Sequence, residues 1–484
     1  MDTPEGFVAI VLAAGQGTRM KSARPKVLHE IAGRPLVHWA VEAALEAGVD
    51  RCVVVIGHGA DAVEASLEER FGGRVTTAVQ AEQRGTGHAV QQAMAALDDH
   101  AGPLLILYGD CPLVPSEQLR ALMTATTREG AALGLVTAAL DDPTGYGRIL
   151  RDARGRVVAI REQKDCSRDE RAIHEVNPGL YAVDAGFLRE AIAALGDDNA
   201  QGEFYLTDVV AAAAKQGRVV DVPGDMRDLR GVNDRADLAE CARVRRDRIV
   251  AALAAGGVGF RDPSTVWIDA ECVVEADAFV DAGVQLRGRC VVRAGAHIDA
   301  GAVLTDTRVE ANATVLPYTV TTDATLGAHA TVGPFSHLRP GTVLGPGSKV
   351  GNFSETKKTR VGAGSKVNHL SYVGDGDIGE GVNIGAGTIF CNYDGFEKHT
   401  TVLEDGVFIG SDSQLVAPVR VGRGAYVASG TTVTRDVPPD ALAIARTRQQ
   451  NKEGFAARLR ERLGARKSHA KAPSGRDPGE GAPR

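Results

Sequence analysis

The chain has 484 residues, 44% of them hydrophobic and 24% charged, with a formal net charge of -7. That length exceeds one ordinary core and calls for two or three domains, and the composition is that of a soluble globular protein. The acidic balance argues against nucleic acid as the main partner, because phosphate backbones want an excess of Lys and Arg.

The seven cysteines, Cys52, Cys111, Cys166, Cys241, Cys272, Cys290 and Cys391, are scattered without a CxxC pair. Such a set fits a reducing cytoplasm and offers no obvious zinc site. The apolar run 7–14 follows Asp2 and Glu5, where a secretory signal would be basic, and neither it nor any other stretch is long enough to span a bilayer. The expectation is a cytoplasmic protein with no targeting segment and no membrane partner.

In chain order, Val8-Ala-Ile-Val-Leu12 reads as a buried strand and Gly15-Gln-Gly-Thr-Arg19 as a turn-rich loop. Residues 35–47 carry apolar groups at helical spacing, 52–56 is a second buried strand, 60–71 and 88–97 are helices, and 104–108 is a third strand. Strands alternating with helices predict a parallel sheet covered on both faces over residues 1–233. Ligands of such sheets bind beyond the carboxyl ends of the strands, which points to the residues after Leu12 and after Tyr108.

Leu12-Ala-Ala-Gly-Gln-Gly-Thr-Arg-Met20, with Pro25-Lys26 downstream, is the sharpest motif here. Gly15 and Gly17 let the backbone approach an anion, and Arg19 and Lys26 add positive charge where a polyphosphate would sit. A lone GxG would mean only a Gly-rich βα turn. The longer pattern is more specific, and it is neither GxxxxGK[ST] nor GxGxxG, which disfavours a P-loop ATPase or a dinucleotide fold. Asp110, in Tyr108-Gly-Asp-Cys-Pro-Leu113, ends a buried strand. A carboxylate there either holds a hard cation such as Mg²⁺ or caps a helix, and the residues leave both readings open.

Residues 234–257 are charged and Ala-rich, with Leu238, Val244, Ile249 and Leu253 supporting a helix and Gly256-Gly257 ending it, as expected of a helical linker. From residue 268 to 433 an aliphatic residue returns every six positions. Ile268, Val274, Val280, Leu286, Val292, Ile298 and Leu304 are in unbroken register, and after a phase slip Val320, Leu326, Val332, Leu338, Leu344 and Val350 resume it. Val361, Val367 and Val373, then Ile378, Ile384 and Phe390, then Leu403 to Val433 complete the pattern. Neither a helix nor a surface strand has a period of six; a solenoid of short strands and tight turns does, three hexads per triangular coil. An ordinary β-sandwich does not explain such runs. Glycines often follow the aliphatic residue, as in Val332-Gly333 and Val350-Gly351, and are expected to supply positive φ at the corners. Residues 258–464 are thus expected to form the solenoid with a short basic helix around 453–463. Residues 465–484, rich in Lys, Ser, Pro, Gly and Arg, are expected to be disordered.

The hexads break at Asn352-Phe-Ser-Glu-Thr-Lys-Lys358, where Thr356, Lys357 and Lys358 stand where Val belongs, at Asn368-His-Leu-Ser-Tyr372, and at the insertion 391–401. Rule-breaking inside a regular repeat is where function is expected. His369 alone reads as a surface histidine. With Glu355 fourteen residues before it and Tyr372 three after, it reads as a base for an attacking amine, oriented by a carboxylate. Arg339 and Lys357 can bind a phosphate.

These motif sets, over residues 7–456, resemble the sugar nucleotidyltransferases, and specifically the bifunctional bacterial uridylyltransferase/acetyltransferase family that makes UDP-N-acetylglucosamine. The resemblance implies an α/β nucleotidyltransferase (Rossmann-like) domain followed by a left-handed parallel β-helix of hexapeptide repeats, assembled as a homotrimer. It implies that Leu12, Ala13, Ala14, Gly15, Lys26, Gln80, Gly85, Thr86, Tyr108, Gly109, Gly147, Glu162, Asn177 and Asn233 bind the nucleotide sugar. Asp110 and Asn233 would be Mg²⁺ ligands, and Arg19 a catalytic arginine on the phosphates. In the second domain it implies His369 as the base acting on glucosamine-1-phosphate, held by Arg339, Lys357, Tyr372 and Asn383 with Glu355 in support. Ala386, Asn392, Tyr393, Ser411, Ser429 and Arg446 would bind acetyl-CoA. Pro178 and Ser429 depart from the family pattern, which has Thr and Ala there. The competing reading keeps the nucleotidyltransferase and makes the solenoid a non-catalytic oligomerising or regulatory scaffold; a scaffold would not need the Glu355, Lys357, His369, Tyr372 and Asn392-Tyr393 set. A pure binding protein built on the solenoid fails on the N-terminal phosphate and metal motifs.

Overall fold

The computed structural model describes residues 6–97 and 99–470. The N-terminal sheet runs in the spatial order Val75–Val79, Arg51–Ile56, Val8–Leu12, Leu104–Tyr108, Tyr181–Val183, Leu133–Ala139, Glu175–Asn177, Gly147–Arg151 and Val157–Arg161. Its first four strands are parallel, and helices cover both faces. Along Val8–Leu12 the side chains alternate between two cores. Ala9 and Val11 meet residues of helices Leu36–Ala47, Ala60–Phe71 and Ser116–Arg128. Val8, Ile10 and Leu12 meet those of Thr86–Ala95, Ala185–Ala193 and Asp208–Lys215. Burial on both faces is why the strand is an unbroken apolar run.

The sheet is not wholly parallel, as the alternation had suggested. Tyr181–Val183 runs antiparallel between Leu104–Tyr108 and Leu133–Ala139, and the strands beyond it are hairpin-like partners. Gly147–Arg151, Val157–Arg161, Glu175–Asn177 and Tyr181–Val183 follow Leu133–Ala139 through loops without crossover helices, so parallel pairing is not forced on them. Val219–Pro223, reached through helices Ala185–Ala193 and Asp208–Lys215, pairs parallel with Leu133–Ala139.

Helix Arg235–Ala255 joins the two halves. Asp234 caps it by accepting from Ala236 N and Asp237 N, and Gly256 follows its last residue. Its first half packs Leu238, Cys241 and Val244 with Met20, Ile31, Leu36, Leu113 and Val232, whereas Ile249, Val250 and Leu253 pack on the solenoid core. Arg34 and Arg70 also clamp Glu271, at 2.6 and 2.8 Å, tying the first domain to the first coil.

The solenoid is a left-handed parallel β-helix of three sheets, each strand pairing with its counterpart one coil on. Coils take 18 or 17 residues, as Phe279↔His297 and His297↔Thr314 show, except the coil that holds the insertion 391–401, where partners such as Glu380 and Asp405 are 25 apart. The shorter coils account for the phase slips and change two readings. Val320 faces solvent, while Thr321 takes the inward slot and satisfies its buried hydroxyl on Thr307 at 2.8 Å. Thr356 likewise continues the inward row, bonded to Thr342 at 3.0 Å, so it is core and not a break in the repeat.

The glycines after the aliphatic residues also serve a different purpose. Of the glycines that follow inward aliphatic residues, such as Gly333, Gly351, Gly362, Gly385 and Gly410, only Gly333 has positive φ; the left-handed corners are taken by other glycines, such as Gly283 and Gly364, and by residues such as Tyr318, Phe335, Phe353 and Leu370. The glycines are there because coils stack backbone to backbone: a Cβ on Gly385 would lie 2.6 Å from Ser411 N. The C-terminal helix, Phe455–Ala470, runs past residue 464, where its end was expected. Ala465, Arg466 and Lys467 are strong helix formers and simply extend it. The rest of the tail, 471–484, lies outside the described residues.

Candidate functional site

The carboxyl ends of Val8–Leu12 and Leu104–Tyr108 lie side by side, Leu12 opposite Tyr108, and Gly109 N donates to Leu12 O at 2.9 Å. Beyond them opens a cavity of about 270 Å³ that takes in Leu12, Ala13, Ala14, Gly15, Lys26, Gln80, Gly85, Thr86, Tyr108 and Asp110. Gly85 is required there by its φ of 100°, and a Cβ on it would strike Phe204 O. Gln80 donates to Gly85 O at 3.1 Å, which braces the segment beneath the cavity. Gln83, absent from the motif reading, joins the lining and donates to Ala14 O at 2.7 Å. Its only sequence signal is proximity to Gln80 and Gly85.

The remaining sugar-side residues cluster next to this cavity. Asn177 and Gly147 are opposite one another in their strands. Asn177 donates to the Tyr181 hydroxyl at 2.6 Å and accepts from Gly179 N at 3.0 Å, so the side chain is held across Pro178. Glu162 accepts from Thr207 Oγ1 at 3.0 Å, and burial pushes its carboxyl above the ordinary range. Burial, and then the charge of Glu162, raises the Tyr108 phenol.

Asp110 accepts from Lys26 Nζ and, at 3.6 Å, from Cys111 Sγ. Asn233 Oδ1 accepts from Arg19 Nη2 at 2.8 Å. Val232 N donates to Asp110 O at 2.9 Å, which draws residues 231–233 beside the aspartate. Two oxygen donors, each already holding a cationic side chain, are a fit for a hard divalent ion.

In the β-helix the expected acetyl-transfer residues stack on one corner of the prism. Leu370 N donates to Asn352 O, Gly387 N to His369 O, Asp412 N to Ala386 O and Gly430 N to Ser411 O, so residues 352, 369, 386, 411 and 429 occupy equivalent corners of successive coils. Arg446 closes the row by donating to Ser429 O. Arg339, Glu355, Lys357 and Tyr372 lie on the face that follows this corner, whereas Asn383 lies on the face that precedes it. The insertion is a tight loop pinned by Asp394, which accepts from Phe396 N, Glu397 N and His399 Nε2; these bonds hold its carboxyl well below the usual range. Within that loop Asn392 bonds to Asp375 and Tyr393 to Gly395 O.

Two features depart from the sequence reading. Glu355 does not orient His369: it pairs with Arg339 at 2.7 Å, and His369 Nδ1 instead meets Asn352 Oδ1 at 2.7 Å. Lys357, moreover, is not alone. Lys398 from the insertion loop lies beside it, and its charge, with those of Arg339 and Lys358, lowers the Lys357 ammonium. Crowded cations of this kind await an anion. The insertion was legible as irregular, but nothing in its spacing brings Lys398 to Lys357.

Residues 9–199 match the MobA-like NTP transferase domain family, and residues 400–435 the bacterial transferase hexapeptide (six repeats) family. Over 93–95% of its length the chain is similar to proteins named bifunctional protein GlmU. The relative from Sorangium cellulosum is 58% identical over 95% of this chain and 98% of its own. That from Pelobacter propionicus is 49% identical over 95% and 100%, and that from Trichlorobacter lovleyi 49% over 94% and 98%.

Proposed function

The chain belongs to the bifunctional GlmU family, and from that premise we propose a two-step synthesis of UDP-N-acetylglucosamine with the residues above in named roles. In the first step the amine of glucosamine-1-phosphate attacks the thioester carbonyl of acetyl-CoA. A C–N bond forms, the C–S bond breaks, and His369 takes the amine proton and returns it to the departing sulfur, so that coenzyme A leaves as the thiol. Arg339, Lys357 and Lys398 hold the sugar phosphate, with Tyr372 and Asn383 on the sugar. Ala386, Asn392, Tyr393, Ser411, Ser429 and Arg446 hold acetyl-CoA along the corner.

In the second step a phosphate oxygen of N-acetylglucosamine-1-phosphate attacks the α-phosphorus of UTP and pyrophosphate leaves. The nucleophile is already ionised, so no base is needed and positioning with charge stabilisation suffices. The backbone at residues 12–15, together with Arg19 and Lys26, receives the triphosphate; Gln80, Gly85 and Thr86 read the uracil; Gly147, Glu162 and Asn177 hold the sugar. Asp110 and Asn233 would hold Mg²⁺, which when bound supplies positive charge against the phosphoryl oxygens. Lys26 and Arg19, now engaged with those two residues, are then free to turn to the phosphates.

The division of sugar-phosphate residues between two faces of the prism supports assembly with further copies, because one ligand cannot rest on two faces that point apart. So does an exposed ring stack on the same corner, Tyr318–Phe335–Phe353 at 5.4 and 5.6 Å, continued by Leu370; soluble monomers seldom leave such a stripe uncovered. We read the assembly as a trimer. No helix among the described residues is long and apolar enough to cross a membrane, and the free thiols support a cytoplasmic location.

The observation that carries the proposal is the presence of two separate polar constellations, one at the strand ends and one on the β-helix corner. His369→Ala should therefore abolish acetyl-CoA-dependent thiol release with glucosamine-1-phosphate and leave uridylyl transfer intact. Loss of both activities from folded protein would overturn the assignment of separate sites.

A further inference from the structure

A histidine that takes a proton through Nε2 must keep its other nitrogen protonated, and in an exposed imidazole nothing intrinsic selects that tautomer. His369 is exposed on its corner, and among the described residues its side chain makes one hydrogen bond, the 2.7 Å contact from Nδ1 to Asn352 Oδ1. An amide oxygen only accepts, so Nδ1 carries the hydrogen and the lone pair is left on Nε2. We infer that Asn352 is the positioning residue of the acetyl-transfer base, setting the tautomer and ring orientation of His369.

The fold makes this pairing a consequence of coil geometry. Asn352 and His369 occupy the same corner of neighbouring coils, joined by Leu370 N to Asn352 O at 3.2 Å. Gly351 stacks so closely beneath Asn368 that a Cβ would collide with the backbone of that residue. Gly351 N also donates to Val367 O at 2.7 Å. The His369 carbonyl is fixed in turn by Ser371 Oγ at 2.9 Å and Gly387 N at 3.2 Å. With both backbones held, the two side chains have little freedom other than to meet. The carboxylate that could have taken this role, Glu355, is committed to Arg339. A neutral partner also suits the chemistry, since it orients the ring without holding a positive charge on it when the proton must be passed on.

This inference rests on His369 being the base, and the test separates the two. Asn352→Ala should lower kcat for acetyl transfer by about 10- to 100-fold, with KM for glucosamine-1-phosphate and acetyl-CoA within about threefold of the parent. Asn352→Asp, which keeps an acceptor oxygen at the same place, should recover to within about tenfold. In a His369→Ala background Asn352→Ala should cost nothing further, because residues that act as a unit are not additive. Uridylyl transfer, measured on every variant, reports on folding. If His369→Ala abolishes acetyl transfer while Asn352→Ala leaves kcat unchanged, or raises KM alone, the positioning role is refuted. If His369→Ala retains acetyl transfer, the base assignment falls and this inference with it.

Discussion

Arg339 and Glu355 form a 2.7 Å ion pair between successive coils, with each side chain a little over one-third exposed. The pair sets the guanidinium beside Lys357 and Lys398 rather than serving His369. Replacing Glu355 by Gln should therefore act on sugar-phosphate binding: KM for glucosamine-1-phosphate rises about 3- to 10-fold, while kcat stays within about threefold. Steady-state kinetics of thiol release will distinguish this from a base-orienting role, which would lower kcat at constant KM.

Lys26 occupies the carboxylate that the proposed metal needs, and an ammonium on Asp110 competes with a divalent ion for the same oxygen. Without nucleotide, Lys26→Met should bind Mn²⁺ about tenfold more tightly than the parent, as read from the loss of free-ion paramagnetic resonance signal. The same variant should lose uridylyl transfer by about 100-fold or more. Asp110→Ala should lose both the ion and the activity. Weaker Mn²⁺ binding in Lys26→Met would count against competition at this carboxylate.

His38 is buried between helices Leu36–Ala47 and Ala60–Phe71, bonded to Ser66 Oγ at 2.9 Å. Burial, with Arg70 and Arg34 nearby, lowers its pKa from 6.5 to about 4. The unfolded chain therefore binds a proton that the folded chain refuses between those values. Stability is full above pH 6.5 and falls as the pH drops toward 4, by about 2 kcal/mol between pH 7 and pH 5. Urea midpoints at the two pH values should show this decline, and His38→Gln should flatten it. An equal decline in His38→Gln would assign the effect to other groups.

The close stacking of coils makes Gly385 a sensitive position. Ala at 385 would push a methyl to 2.6 Å from Ser411 N, backbone that cannot yield without moving a coil. The expected loss is about 1–3 kcal/mol of β-helix stability, with acetyl transfer falling and uridylyl transfer kept. Thermal unfolding followed alongside both activities tests it, and an unchanged midpoint would contradict the contact.

Much of this was legible from residues 12–26 and from the hexads. The Leu12 to Met20 loop and Tyr108-Gly-Asp110 each lie within one strand end, and continuous apolar strands place both at one edge of the sheet, so the cavity between them was foreseeable. The β-helix was legible because its period is local: within each run an inward residue is six from the next, and slips and the insertion interrupt the count without erasing it. Less legible were Thr321 and Thr356, polar residues in an apolar row, because their satisfaction depends on Thr307 and Thr342 in neighbouring coils. The glycines misled for a related reason. Their need is set by the backbone of the next coil and not by their own φ.

By itself, then, the amino-acid order determined the two-part architecture, the Gly-rich loop after the first strand, and the corner and insertion where the repeat breaks. All of these are written in short-range pattern. Only the tertiary structure decided which side chains are partners: Asn352 with His369, Arg339 with Glu355, Lys398 with Lys357, Lys26 with Asp110. A coil that drops one residue shifts every later register, and a loop can close on either neighbour. Such pairings follow from coil length and backbone contact, which no local spacing encodes.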